Sequence, residues 1–144
     1  MNRQIQTEII INASAATVWD ILTDFPAYPA WNPFIVRIDG RAEAGTVLRN
    51  TMLNGGKEYV FQPRITRCEP LKHFAWLGSL FVKGIFDGRH YFEIEALSEN
   101  SVKLTQEESF SGMLSSMILR RIGDDTRNNF IRMNQALKQR AESF

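Results

Sequence analysis

Between Gly112 and Phe144 the chain contains no proline and a single internal glycine, Gly123. Apolar residues recur there at Leu114, Met117, Ile118, Ile122, Phe130, Met133 and Leu137. Spacings of three and four put them on one stripe of an amphipathic helix over residues 113–140, with Gly123 the position at which it could bend. Arg120, Arg121, Asp124, Asp125, Arg127, Arg132, Lys138 and Arg140 fill the other face, a mixed-sign pattern typical of a solvated surface. A helix of roughly 28 residues is about 40 Å long. An apolar stripe of that length needs a broad partner, because helices take most of their stability from tertiary packing.

The rest of the chain alternates at the two-residue period of strands. In residues 3–11, Ile5, Thr7, Ile9 and Ile11 share one side. Ser14 can cap a helix over residues 15–22 that buries Val18, Ile21, Leu22 and Phe25. Pro26 and Pro29 break that helix and leave a short second helix or turn between Phe25 and Trp31. Strands follow over 34–40 and 46–53. Asn54-Gly55 predicts the turn into a long strand over 57–69, in which Pro63 requires an edge or a bulge. Residues 73–81 form the returning strand.

The hairpin of residues 85–97 and 101–110 alternates most clearly. His90, Phe92, Ile94 and Ala96 share a face with Val102, Leu104, Gln106, Glu108 and Phe110. A three-residue loop at Ser98-Glu99-Asn100 would pair Leu97 with Ser101. Counting back sets Ala96 opposite Val102, Ile94 opposite Leu104, Phe92 opposite Gln106 and His90 opposite Glu108. The predicted class is α+β: a curved antiparallel sheet of six to seven strands around the C-terminal helix, with two short helices after the first strand.

Composition narrows the function classes. A chain of 144 residues, 44% hydrophobic and 23% charged, fits one globular domain spanning residues 1–144. A net charge of +1 gives no electrostatic case for nucleic acid or an anionic membrane. One cysteine, Cys68, excludes an internal disulfide and fits a reducing compartment. No apolar run approaches the roughly 18 residues of a membrane span, and residues 1–4 do not open a signal peptide. The expectation is a soluble cytoplasmic protein, monomer or homodimer, with no cofactor.

The opening strand, the run Ser14-Ala15-Ala16-Thr17-Val18-Trp19-Asp20-Ile21-Leu22-Thr23-Asp24 and Trp31-Asn32-Pro33-Phe34 resemble the START/Bet v 1-like (SRPBCC) superfamily. Phe86-Asp87-Gly88-Arg89-His90-Tyr91-Phe92 and Thr105-Gln106-Glu107-Glu108-Ser109-Phe110-Ser111-Gly112 resemble its polyketide cyclase/dehydrase-like branch. The resemblance covers nearly the whole chain. It implies a helix-grip fold with a hydrophobic cavity between sheet and helix. It also implies ligands such as lipids, hormones or polyketides, with cyclisation or aromatic ring chemistry in a few members.

His90 and Glu108 are the foremost candidates for chemistry. Cross-strand partners lie about 4.5–5.5 Å apart at Cβ, within reach of a hydrogen bond, and a carboxylate can orient an imidazole for acid–base work. The pair reads equally as a ligand anchor or as a satisfied structural pair. Trp31, Tyr59, Phe61, Trp76, Phe81, Phe86, Phe92, Phe110, Met113, Met117 and Phe130 are the apolar candidates to line a pocket, with plain core filling the alternative for each. The expected pocket has walls at Trp76, Phe92, Phe110 and Met117, and an entrance near the Trp31 loop and the turn at residues 80–86. Cys68 has no activating neighbour. His73 and Glu69 are separated by Pro70 and make no metal motif, and two histidines and one cysteine without close spacing argue against a protein-built zinc site. Gly55-Gly56-Lys57 lacks the upstream glycine of a phosphate-binding loop. Three functions remain: a carrier or sensor of a small hydrophobic molecule, a cyclase or dehydratase using His90 and Glu108, or an interaction protein with a filled core.

Overall fold

The structure is a computed structural model that describes residues 3–80 and 84–144. Strand β1 (Gln4–Ile11) is followed by helix α1 (Ala15–Thr23), a 3-10 turn at Phe25–Ala27 and the short helix α2 (Tyr28–Trp31). Then come β2 (Ile35–Asp39), β3 (Arg49–Asn54), β4 (Lys57–Phe61), β5 (Arg64–Glu69), β6 (His73–Leu80), β7 (Phe86–Ser98) and β8 (Ser101–Ser111). Helix α3 (Ser115–Glu142) closes the chain as one uninterrupted helix of 28 residues. Ser14 caps α1 as expected, its hydroxyl accepting from the Thr17 backbone N–H at 3.1 Å.

The strands make a curved antiparallel sheet in two pieces, β1-β8-β7-β6-β5 and β2-β3-β4. The described residues form eight strands rather than six or seven, because the long strand expected over 57–69 stops at Phe61 and restarts at Arg64. Pro63, with no N–H to give a ladder, sits in the break. Its carbonyl accepts from Leu48 N at 2.8 Å, and Ile65 exchanges hydrogen bonds with Thr46 and Gly45. The segment before β3 thereby covers the edge of β5 and joins the two pieces. The β3–β4 turn falls one residue later than expected, on Gly55 and Gly56. Both have positive φ, 60° and 79°, the requirement of a tight two-residue turn.

The β7–β8 register agrees with the sequence at His90–Glu108, Phe92–Gln106, Ile94–Leu104 and Ala96–Val102. The loop does not. Ser98 pairs with Ser101, and Leu97 is left over as an irregularity between Ala96 and Ser98. The concave face carries Phe92, Ile94, Val102 and Leu104 into the core with Phe74, Trp76 and Phe130. On α3 the inward set is Ser115, Leu119, Thr126, Asn129, Phe130, Met133, Asn134, Leu137 and Ala141. Met117 and Leu114, assigned to the apolar stripe by spacing, are instead 50% and 38% exposed.

Candidate functional site

A cavity of about 270 Å³ lies between the sheet and the first half of α3. Its apolar walls are Phe34, Met52, Tyr59, Phe61, Phe86, Phe110, Ile118 and Ile122; Asn54, Ser79, Thr126 and Glu108 supply polar atoms, and Gly78 and Gly88 supply backbone. Two wider grooves, of about 700 and 620 Å³, open on the surface beside Arg49 and Arg64 and beside Glu8, Lys72, Glu93, Glu95 and Lys103. Charged rims of that kind suit water. The inner cavity, with apolar walls and few polar groups, has the make-up of a small-molecule site.

Glu108 is the only carboxylate among the described residues of this lining. Its Oε1 lies 3.0 Å from His90 Nδ1, as the paired positions on β7 and β8 allow. The imidazole is 3% exposed and packs against the rings of Trp76, Phe92 and Phe130 at 4.9–5.0 Å between centroids. Behind it, His90 Nε2 lies 3.0 Å from Gln106 Oε1. Gln106 Nε2 donates to Asn134 Oδ1 at 2.7 Å and to the Phe130 carbonyl at 3.4 Å. Asn134 Nδ2 donates to Thr7 Oγ1 at 2.8 Å, and the Thr7 hydroxyl donates to the Gln106 carbonyl at 3.2 Å. Four elements, β1, β7, β8 and α3, are thus tied by one buried chain of hydrogen bonds. Gly88 completes the geometry: a Cβ there would collide with Glu108 Oε2.

Of the residues singled out from sequence, Tyr59, Phe61, Phe86, Glu108 and Phe110 line this cavity. His90 stands behind Glu108. Trp76, Phe92 and Phe130 are at most 2% exposed and pack as core behind the wall. Met113 and Met117 point to solvent at 84% and 50% exposure, because Leu119, Ile122 and Thr126 are the side of α3 that faces inward. Trp31 lies in a separate surface groove with Asp20, Asp24, Arg140 and Phe144, so it does not frame an entrance to the cavity. Phe81 and residues 82–83 of the expected 80–86 entrance lie outside the described residues. Sequence reading missed Phe34, Met52 and Asn54 on the cavity wall and the Gln106–Asn134–Thr7 chain. Ile118, Ile122 and Thr126 stand four apart, a signal that could have found the wall contributed by α3.

Away from the cavity, His73, Tyr91 and Cys68 are among the groups perturbed by their surroundings. Burial, then Arg67, holds His73 below its ordinary value, and its ring stacks on Tyr91. Burial and the hydrogen bond to Glu107 push the Tyr91 hydroxyl up. Burial, then Glu43, raises the Cys68 thiol, which donates to the Ala42 carbonyl. Among the described residues no three His, Cys, Asp or Glu side chains are grouped to hold a metal ion, and no helix is long and apolar enough to cross a membrane.

A curved antiparallel sheet gripping one long C-terminal helix, with two short helices after the first strand, defines the helix-grip class of the START/Bet v 1-like superfamily. The family described as polyketide cyclase/dehydrase and lipid transport matches residues 2–142, and the chain belongs to it. The fold is similar to that of the Zhui aromatase/cyclase from Streptomyces sp. R1128, at 17% identity and a TM-score of 0.77 over 97% of this chain and 93% of the other. A START superfamily protein from Mycobacterium smegmatis is similar at 21% identity and a TM-score of 0.77, with 97% of both chains covered. A hypothetical protein from Helicobacter pylori reaches 0.81 at 17% identity, over 98% and 89%. At these identities the likeness is one of fold. No curated protein matches the chain in sequence.

Proposed function

We propose that the chain binds a small hydrophobic molecule, lipid-like or polyketide-like, in the cavity between the sheet and the first half of α3. The observation that carries this reading is the largely apolar wall interrupted, among the described residues, by one carboxylate, Glu108. At about 270 Å³ the space is at the small end of ligand sites and suits a compact molecule. Fluorescence titration with a neutral naphthalene dye tests it, repeated on Ile122→Trp. The wild type should bind, and the indole should weaken binding at least about tenfold by occupying the site. A wild type that binds nothing, together with a more stable Ile122→Trp, would mean that the space is a packing void.

A second reading, an enzyme of cyclase or dehydratase type, is favoured by one specific feature. Glu108 has an oxygen in the cavity and a histidine behind it, the arrangement of a supported acid–base group. It requires that a linear polyketone be converted by the wild type and left unconverted, though still bound, by His90→Phe.

A further inference from the structure

We infer that the buried chain behind the cavity forces His90 and Glu108 to hold a proton between them, so that Glu108 turns its free oxygen to the cavity as an acceptor and selects ligands with a hydroxyl or other hydrogen-bond donor. This inference rests on the cavity being a ligand site.

Two backbone carbonyls, which can only accept, fix every direction in the chain. The Phe130 carbonyl turns the Gln106 amide so that its NH₂ faces α3. The Gln106 carbonyl takes the Thr7 hydroxyl proton, so Thr7 Oγ1 must accept from Asn134 Nδ2. Asn134 Oδ1 then accepts from Gln106 Nε2. Gln106 Oε1 is left as an acceptor facing His90 Nε2, and that nitrogen must carry hydrogen. A neutral ring protonated on Nε2 turns the lone pair of Nδ1 towards Glu108 Oε1, 3.0 Å away. Two acceptors at that distance repel. The contact is attractive only when one proton lies in it, as imidazolium with carboxylate or as imidazole with carboxylic acid.

The usual carboxylate–histidine arrangement, with hydrogen on Nδ1 and a basic Nε2, is therefore closed to a neutral His90. Gln106, Asn134 and Thr7 are positioning residues: none lines the cavity, yet together they decide where the imidazole proton sits. Glu108 Oε2 has no hydrogen-bond partner among the described residues and lies against Gly88, whose missing side chain leaves it room. It is the atom through which the pair meets a ligand. An apolar molecule with a hydroxyl fits; a pure hydrocarbon gains nothing from it.

Two measurements test this. Nitrogen-15 NMR of the ligand-free protein reads the His90 ring directly. Hydrogen on Nε2 in any neutral form, or on both nitrogens, is expected; a neutral ring with hydrogen on Nδ1 would overturn the inference. In Gln106→Leu, which removes the acceptor at Nε2 and nearly keeps the volume, the neutral ring should switch to Nδ1–H, provided a thermal melt shows it folded. The second measurement titrates 2-naphthol against 2-methylnaphthalene, matched in shape but differing in the donor. The wild type should favour the naphthol by about tenfold, the scale of one charge-assisted hydrogen bond. Glu108→Met, which removes the acceptor and nearly keeps the length, should lose that margin and keep its affinity for the hydrocarbon, while Glu108→Gln, which gives its N–H to Nδ1 and still turns an acceptor to the cavity, should keep a preference for the naphthol. Equal binding of both probes by the wild type would sink the proposed acceptor while leaving the cavity in place. Binding of neither would remove the cavity reading, and with it the ligand class named here.

Discussion

From Thr126 to Ala141, α3 turns Thr126, Phe130, Met133, Leu137 and Ala141 inward, and none is more than 7% exposed. From Ser115 to Ile122 only Ser115 and Leu119 reach that depth. Ile118 and Ile122 stop at the cavity, and Met117 is half in solvent. The two halves have the same amphipathic character and differ in what lies opposite. The second half closes on β1 and α1, while the first stands off from the sheet piece β2-β3-β4 and from Phe86 and Phe110. One helix thus serves as core at one end and as the wall of a cavity at the other.

The comparison is broken most severely by Phe130→Ala. Phe130 is fully buried against Phe34 and His90, and its loss should cost about 3–5 kcal/mol in urea unfolding. Ile118→Ala, at a half-buried position beside existing space, should cost well under half of that. His90→Phe comes next. It leaves Gln106 Oε1 and Glu108 without their partner and should lower stability by about 1–3 kcal/mol in the same assay. Gly123→Ala sharpens the comparison in the other direction. A Cβ there meets nothing within 4 Å, so the substitution should stabilise the looser half by up to about 1 kcal/mol while probe affinity stays unchanged. The smallest effect is a pH slope. His73 has a depressed value in the folded state, so its contribution is complete above the ordinary imidazole value of 6.5 and is lost as pH falls through the lower folded value. His73→Gln should flatten unfolding free energy measured from pH 7 to 5. If it does not, burial of this ring is not what depresses it.

The last hairpin was the most legible part of the sequence, because a period of two with one polar and one apolar face leaves a single register for His90 and Glu108. The three-and-four spacing on α3 placed Ile118, Ile122, Phe130, Met133 and Leu137 on the inward side and failed at the helix start, at Leu114 and Met117. Methionine is apolar enough to count in a stripe, yet Met113 and Met117 lie beyond the edge of what the sheet covers. Trp76, Phe92 and Phe130 could not be told from cavity lining, since core and pocket draw on the same side chains. The Thr7–Asn134 hydrogen bond joins residues 127 apart, a contact that no local pattern encodes.

That same pairing of the first strand with the last has a consequence during synthesis. Among the described residues, β1 finds a partner strand only in β8, from Gln4 opposite Ser109 to Ile11 opposite Val102. At about 5–20 residues per second a ribosome needs roughly 5–20 s to add the intervening residues. For that time Ile9-Ile10-Ile11, a run with strong strand propensity, emerges with both edges unpaired. The nascent chain is therefore expected to be a chaperone client, and its vulnerability should end when residues 101–111 emerge.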